Sequence, residues 1–230
     1  YQTDSPEYRS LTQATFIELW NRGLIYSATR PNNYCWECGT TIADAEIEYE
    51  ERPAKLVYIK FKVKEDGSDL IIATTRPELL AACQAVIVNP ADERYKHLHG
   101  KHAIVPIYER EVEIIPHPAA KPEFGTGAVM ICSYGDYTDV LLFRELGLKE
   151  IVAINTEGRM TEAAGKYAGM RIEEAREAIT EDLKKMGLVV KIESIMHRTP
   201  ICERSKTPIE IIPMQDYYLK QLEFAEELKK

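Results

Sequence analysis

The chain has 230 residues, 45% hydrophobic and 29% charged, which is long enough to bury one substantial core, and we expect a globular protein. Its net charge of −8 argues against a freestanding nucleic-acid-binding protein, which usually carries a basic surface. Five cysteines with one close pair argue against a disulfide scaffold, and neither a membrane-spanning apolar run nor a targeting region occurs, so we expect a cytoplasmic protein.

The chain opens with a predicted helix. Ser5, Pro6 and Glu7 form a typical helix start, and Gly23 is a typical end. Because the sequence begins without methionine, close to this helix, we expect it to be a segment of a larger protein.

Two cysteine-containing turns lie far apart in the sequence. Cys35 and Cys38 have the spacing with which two thiolates can bind one tetrahedral Zn²⁺ ion. Cys202 and Ser205 repeat that spacing, but a serine is a poor zinc ligand. Three possibilities stay open: a degenerate site without metal, a zinc site completed by His197, or two hydrogen-bonded turns that pack the chain ends together.

The middle of the chain is rich in predicted strands. Residues 56–63 and 70–75 flank a turn and predict a hairpin, and short β-branched runs follow at 85–88, 103–107 and 112–115. This pattern favours an α+β protein with a compact barrel or curled sheet over a doubly wound sheet. Later we predict a short strand over 151–154, a helix over 171–186 and a C-terminal amphipathic helix within 215–230.

Two strand ends carry polar side chains. The first strand ends in Thr74, Thr75 and Arg76, and Pro77 with Glu78 then suits the start of a helix. Hydroxyl and N–H groups at such a strand end are placed where loops commonly bind ligands. An ordinary strand terminus is the alternative.

The second strand, 128–132, follows the turn Gly125-Thr126-Gly127 and precedes a helix that begins with Asp136 and Asp139. Both aspartates could simply cap the helix, because their oxygens accept from its free N–H groups. Residues three apart also share a helix face, so Asp139 could present its carboxylate to a cationic ligand.

Taken in order, these segments resemble the editing (CP1) domain of the class I aminoacyl-tRNA synthetases for large hydrophobic amino acids. The similarity covers nearly the whole chain, and it is closest to the valyl members of that family. The segments that carry it are 43–49, 73–80, 89–98, 100–101, 122–128, 136–139 and 164–169.

The resemblance implies a β-barrel-like editing domain over 55–196. It also implies a ribbon-like stem made from 1–54, with the first helix and the cysteine knuckle, and from 197–230, with the C-terminal helix. The activity it implies is hydrolysis of the ester of mischarged threonyl-tRNA(Val). The partners are then the 3′ end of a misacylated tRNA and the rest of the synthetase chain, with no membrane involved.

The resemblance also assigns roles to residues. Asp139 would pair with the substrate α-ammonium, and Asp136 would help to read the threonine hydroxyl. The strand end Thr74-Thr75-Arg76-Pro77-Glu78 would line the terminal adenosine and the ester, and the backbone of Gly125, Thr126 and Gly127 would allow close approach. No nucleophile or general-base histidine lies in these motifs, so we expect oriented water to attack, without a cofactor or metal.

Some positions depart from the family pattern. Met130 and Cys132, which the resemblance places among the substrate-binding positions, replace polar residues expected on the strand after Gly-Thr-Gly. Strand alternation puts both on one face, where they could be core. The group that reads the hydroxyl therefore stays open, and so do leucyl- or isoleucyl-tRNA editing and a non-catalytic tRNA-guiding or zinc-ribbon module. Residues 97–100 and 204–207 only faintly resemble the ATP-site signatures, so we do not expect amino-acid activation by this chain.

Overall fold

The computed structural model describes residues 2–229 and combines helices with a curled sheet, which confirms the predicted α+β class. The helices are α1 Pro6–Asn21, α2 Tyr137–Leu146, α3 Ile172–Lys185 and α4 Ala225–Leu228. The strands are β1 Ile25–Cys35, β2 Thr40–Thr41, β3 Ile47–Val63, β4 Asp69–Thr74, β5 Cys83–Val88, β6 His102–Ile104, β7 Glu111–Pro116, β8 Ala128–Cys132, β9 Val189–Cys202 and β10 Glu210–Leu219.

The described chain forms two compact units, one from residues 31–212 and one from the two ends, 2–30 and 213–229. The boundaries predicted after residues 54 and 196 fall inside β3 and β9. These two strands pair from Ile47 opposite Cys202 to Ile59 opposite Val189. Because that ladder is continuous apart from one bulge, the cysteine knuckle belongs to the same unit as the main sheet.

The sheet of the larger unit has the strand order β4-β3-β6-β7-β5-β8, and β9 pairs with β3. Its pairings are antiparallel except for β5 with β7, which run parallel. The predicted hairpin of β3 and β4 is confirmed, with Val57 opposite Thr74. This register puts Thr74 at the last paired position, at the start of the loop that carries the predicted motif.

Both faces of β8 are covered, and this coverage positions the start of α2. Met130 and Cys132 belong to the main core, to which α3 contributes Ile179 and Leu183. Ile131 points to the other face and joins a second cluster that includes Leu142 and Phe143 of α2. Alternation along the strand therefore places α2 on the face opposite the main core.

The structure differs from two predicted elements. Residues 151–154 form no strand; a single bridge joins Ile154 to Met160. The predicted C-terminal helix is largely wrong, because β10 continues to Leu219 and α4 is one short turn. Pairing of β10 with β1 favours the extended backbone there, and the adjacent residues Tyr217 and Tyr218 suit a strand.

In the smaller unit α1 begins as predicted, with the Ser5 hydroxyl accepting the N–H of Tyr8 at 3.2 Å. All residues of α1 lie in the described chain and none is buried. Phe16 and Trp20 instead form an exposed aromatic cluster with Tyr217. Within residues 2–229, every helix is too short or too polar to cross a membrane.

Candidate functional site

The two aspartates at the start of α2 have different environments. Asp136 is exposed and caps the helix, its side chain accepting the N–H of Asp139 at 3.0 Å. Asp139 is only 8% exposed, and its Oδ2 accepts the N–H of Gly135 at 2.8 Å. The capping interpretation therefore describes Asp136, whereas the Asp139 carboxylate is turned back towards the loop that precedes the helix.

Burial, as the main cause, and the nearby negative charge of Asp136, as the second, together raise the pKa of Asp139 to about 7, against backbone N–H groups that lower it. A carboxyl group with this pKa changes its protonation state near neutral pH. A cation placed against it would favour the ionised form, because an opposite charge offsets the cost of desolvation. Such a perturbed acid is typical of a functional site.

The predicted strand end of β4 approaches the same loop. Thr74 is nearly buried and its hydroxyl accepts the N–H of Arg76 at 3.0 Å, while Thr75 is half-buried. The Arg76 Nη1 donates to the Gly135 carbonyl at 3.3 Å. Gly135 thus contacts both motifs, since its N–H donates to Asp139 and its carbonyl accepts from Arg76.

Arg76 and Glu78, predicted to contact substrate, belong to an internal ion-pair network. Arg76 Nε lies 2.9 Å from Glu78 Oε1, and its Nη2 lies 2.7 Å from Glu210 Oε2. Arg176 of α3 contacts both oxygens of Glu78, at 2.8 and 2.9 Å. Each guanidinium nitrogen of Arg76 has a protein acceptor. Glu78 is fully buried, and its neighbour Pro77 is also buried.

Electrostatic balance explains why this network can be buried. It contains two arginines and two glutamates, so its charges cancel when both carboxyl groups are ionised. Burial raises the pKa of Glu210, against the neighbouring charge of Arg76, which lowers it. Burial opposes ionisation of Glu78, but Arg176 and Arg76 hold its pKa below the ordinary value. Arg176 and Glu210 were missed in the sequence analysis. Arg176 has no local signal, because its helix is rich in charged residues, and the only signal of Glu210 is a carboxylate within the apolar run 208–213.

The Gly-Thr-Gly turn lies against the end of β4. A Cβ on Gly125 would lie 3.1 Å from the Ala73 Cβ, so glycine allows this close approach. The Thr126 carbonyl accepts a hydrogen bond from the Tyr95 hydroxyl at 2.6 Å, and this bond holds the turn in place. Gly127 has a φ of 84°, a conformation that favours glycine.

Met130 and Cys132 lie in the main core, at 8% and 2% exposure. Cys132 pairs directly across the sheet with Cys83, and burial is the main reason that its thiol pKa is raised. The side chains of Met130 and Cys132 therefore pack in the protein core, which is the alternative to substrate contact that strand alternation allowed.

The cysteines of the two knuckles come together. Thiol sulfurs of Cys35, Cys38 and Cys202 all lie within 4.8 Å of one another. The Cys38 and Cys202 sulfurs are 3.9 Å apart, and the Ser205 hydroxyl lies 3.2 Å from the Cys35 sulfur. His197 is not in this group: it is exposed on β9, with its ring 3.2 Å from the Thr199 hydroxyl.

This donor set is compatible with a zinc ion. Tetrahedral Zn–S bonds of about 2.3 Å place sulfurs about 3.8 Å apart, close to the Cys38–Cys202 separation. Burial opposes ionisation of Cys202, but the N–H groups of Ser205 and Arg204 lower its thiol pKa to about 7. The set nevertheless contains three thiols and a hydroxyl, rather than four strong ligands.

The fold and motifs define a class I aminoacyl-tRNA synthetase segment, and the chain belongs to that family: the family described as tRNA synthetases class I (I, L, M and V) matches residues 1–226. The chain is 59% identical to the valine–tRNA ligase of Nanoarchaeum equitans over 100% of its own length and 30% of the relative. For the valine–tRNA ligase of Aeropyrum pernix the identity is 54%, over 99% of this chain and 28% of the relative.

The valine–tRNA ligase of Methanocaldococcus jannaschii is 48% identical over 100% of this chain and 27% of the relative. These similarities confirm the resemblance on which the motif analysis rests. The chain spans about 30% or less of the length of these curated relatives.

Proposed function

We propose that this chain is the editing domain of a valine–tRNA ligase and hydrolyses the ester of mischarged threonyl-tRNA(Val). The observation that carries the proposal is the largely buried Asp139 carboxylate. It is hydrogen-bonded to Gly135, the residue that also contacts the strand end carrying Thr74 and Arg76. The valine–tRNA ligase relatives support valine as the cognate amino acid.

The need for an editing activity follows from the similar sizes of threonine and valine. Threonine and valine have nearly equal volumes, and a hydrophobic pocket cannot strongly reject an isostere that adds a hydroxyl. Valyl-tRNA synthetase facing threonine is the standard example of this limit. A second site must therefore bond the hydroxyl, because valine in that site would leave buried polar groups unpaired.

Asp139 would hold the substrate through its α-ammonium group. The cation keeps the carboxylate ionised, and the charge-assisted hydrogen bond fixes the neighbouring ester carbonyl in one position. Asp136 caps α2 through its Oδ1, so its Oδ2 would accept a hydrogen bond from the threonine hydroxyl, and the bound tRNA end would cover this carboxylate. Thr74 and Thr75 would lie along the ester and terminal adenosine, with the backbone of residues 125–127 opposite them.

Water is the nucleophile in this mechanism. Its oxygen attacks the ester carbonyl carbon, the bond from that carbon to the ribose oxygen breaks, and a proton passes to the departing ribose oxygen. The products are threonine and uncharged tRNA. Because an aminoacyl ester is already reactive, orientation by threonine hydroxyls and the neighbouring ribose hydroxyl supplies the main acceleration. The reaction uses no metal or cofactor.

The cysteine cluster supports a separate structural proposal. Cys35, Cys38 and Cys202 would bind one Zn²⁺ ion, with Ser205 next to the fourth position. When bound, zinc would join the β1–β2 turn to the end of β9 and so add to the stability of the fold. The activity does not pass through this site, and chelation is expected to lower stability without abolishing hydrolysis by the folded protein.

The acidic charge of the chain indicates that tRNA is held mainly by other parts of a longer synthetase. The test therefore uses the complete protein that contains this chain, incubated with threonyl-, valyl- and isoleucyl-tRNA(Val). We expect rapid release of threonine only, and loss of that release in Asp139→Ala. Glu177→Gln, which changes a 76% exposed carboxylate on α3, is the matched control.

Equal threonine release by wild type and Asp139→Ala would refute the role of this carboxylate. Preferential release of isoleucine would favour a different editing specificity. Absence of release from every substrate, with the tRNA still bound, would favour a non-catalytic tRNA-guiding domain.

A further inference from the structure

We propose that Arg176 and Glu210 are positioning residues for the hydrolytic site, acting through Arg76 and Gly135 on Asp139. The inference deepens the proposed function and rests on it for the kinetic readout. In the hydrogen bonds described above, neither Arg176 nor Glu210 is bonded to Asp139. Their effect passes through the contacts that fix the loop between β8 and α2.

Arg76 is the centre of the connection. Its Nε, Nη1 and Nη2 atoms contact Glu78, the Gly135 carbonyl and Glu210 respectively, and these acceptors come from three separate parts of the chain. A guanidinium group is rigid, but the chain that carries it is long and flexible. Two carboxylates on two of its nitrogens therefore fix the direction in which the third nitrogen points, which is towards Gly135.

Arg176 acts one step further away, through Glu78. Glu78 is fully buried, and a buried carboxyl group would tend to remain protonated without cations. Arg176 meets both of its oxygens, and such bidentate contacts fix geometry as well as charge. Without Arg176, the carboxylate that orients Arg76 would lose one of its two cations.

Gly135 transmits the effect to the reacting site. Glycine has the most permissive backbone, so a loop built on it needs outside contacts to hold one conformation. Here the carbonyl of Gly135 accepts from Arg76, and its N–H donates to Asp139. A Cβ at this position would lie 2.6 Å from Asp139 Oδ2, so the loop and the carboxylate are in direct contact.

A purely structural network would affect stability alone. The matched control is Arg110, a half-buried arginine that donates to the carbonyls of Ala81 and Cys83, at the end of the 3₁₀ helix Pro77–Ala82 that contains Glu78. Its hydrogen bonds hold neighbouring backbone but do not include Gly135. Arg110→Lys therefore reproduces the loss of a guanidinium fork without disturbing the connection to Asp139.

The experiment compares Arg176→Lys, Arg176→Met, Glu210→Gln and the control Arg110→Lys in the complete protein. We expect Arg176→Met to lower kcat for threonyl-tRNA deacylation about ten- to 100-fold with little change in KM, because misplacement of a catalytic group by about 1 Å has effects of this size. Arg176→Lys restores part of the rate. Amide hydrogen exchange over residues 133–139 becomes faster in Arg176→Met and stays unchanged in Arg110→Lys.

The proposal is overturned if the folded Arg176 and Glu210 variants match Arg110→Lys in both kcat and hydrogen exchange. If Arg176→Met does not fold, the conservative Arg176→Lys and the isosteric Glu210→Gln decide the question by the same two measurements. A wild-type protein that does not deacylate would overturn the proposed function instead. Hydrogen exchange would still test the positioning contact in that case, since it does not depend on activity.

Discussion

Replacing Asp139 by asparagine should make the protein more stable at alkaline pH while it abolishes hydrolysis. Burial and the charge of Asp136 raise the pKa of Asp139 from 3.8 to about 7. Between these values the unfolded chain carries a charged carboxylate, whereas the folded protein keeps the proton. The free energy of unfolding therefore falls as the pH rises through this window, and it is constant above it.

The size of the effect follows from the shift. Each pKa unit corresponds to about 1.36 kcal/mol, so a shift of about three units gives an upper limit of roughly 4 kcal/mol. Asparagine has nearly the same shape and still offers an oxygen to the Gly135 N–H, but it has no charge to desolvate. We expect equal stability of Asp139→Asn and wild type at pH 4, and a gain for the variant approaching that limit at pH 8.

Urea unfolding followed by circular dichroism, at intervals from pH 4 to pH 8, measures this difference. Glu177→Gln is again the control, because it removes an exposed carboxylate that makes a surface ion pair, and such a change should have only a small effect on stability. A difference between Asp139→Asn and wild type that is independent of pH would show that the carboxylate is not desolvated, and the reasoning about its role would then fail.

Three further tests use substitutions at other positions, one of them with a glycine control. Asp136→Asn should lower the midpoint of the acid limb of kcat/KM for deacylation, which we expect near pH 7, because the variant removes a charge that raises the pKa of Asp139; an unmoved midpoint contradicts this. Gly158→Ala should reduce stability by about 1–3 kcal/mol, because the added Cβ would lie 2.7 Å from the indole ring of Trp36. Gly169→Ala, equally left-handed but with open space around it, should cost less in the same thermal unfolding assay. Ser205→Cys should tighten zinc binding in competition with a chelating dye, and unchanged affinity would argue against a metal at this cluster.

Local signals predicted much of the secondary structure. Ser5 and Pro6 mark the start of α1, and the apolar run between two glycine-containing turns matches β8 from Ala128 to Cys132. Capping and strand alternation act within a few residues, so the sequence pattern contains them. The C-terminal segment departs from prediction because its partner, β1, lies almost 200 positions earlier in the chain.

In the candidate site, too, local features were predicted from the sequence and long-range contacts were not. The motifs around Thr74, Gly125 and Asp139 were identified from the sequence, and the family resemblance implied that they line one site. The partners of the ion-pair network were not, because Glu78 and Arg176 are 98 positions apart and Arg76 and Glu210 are 134 apart. No local pattern relates residues at such distances.

The sequence by itself determined which residue types stand at the strand ends, where the helices begin, and to which synthetase family these motifs point. Tertiary structure decided which of those side chains are committed to the protein interior and which carboxyl group is desolvated. The physical reason is that the pKa of Asp139 and the orientation of Arg76 depend on the atoms packed around them. Those atoms are brought together from distant segments only when the chain folds.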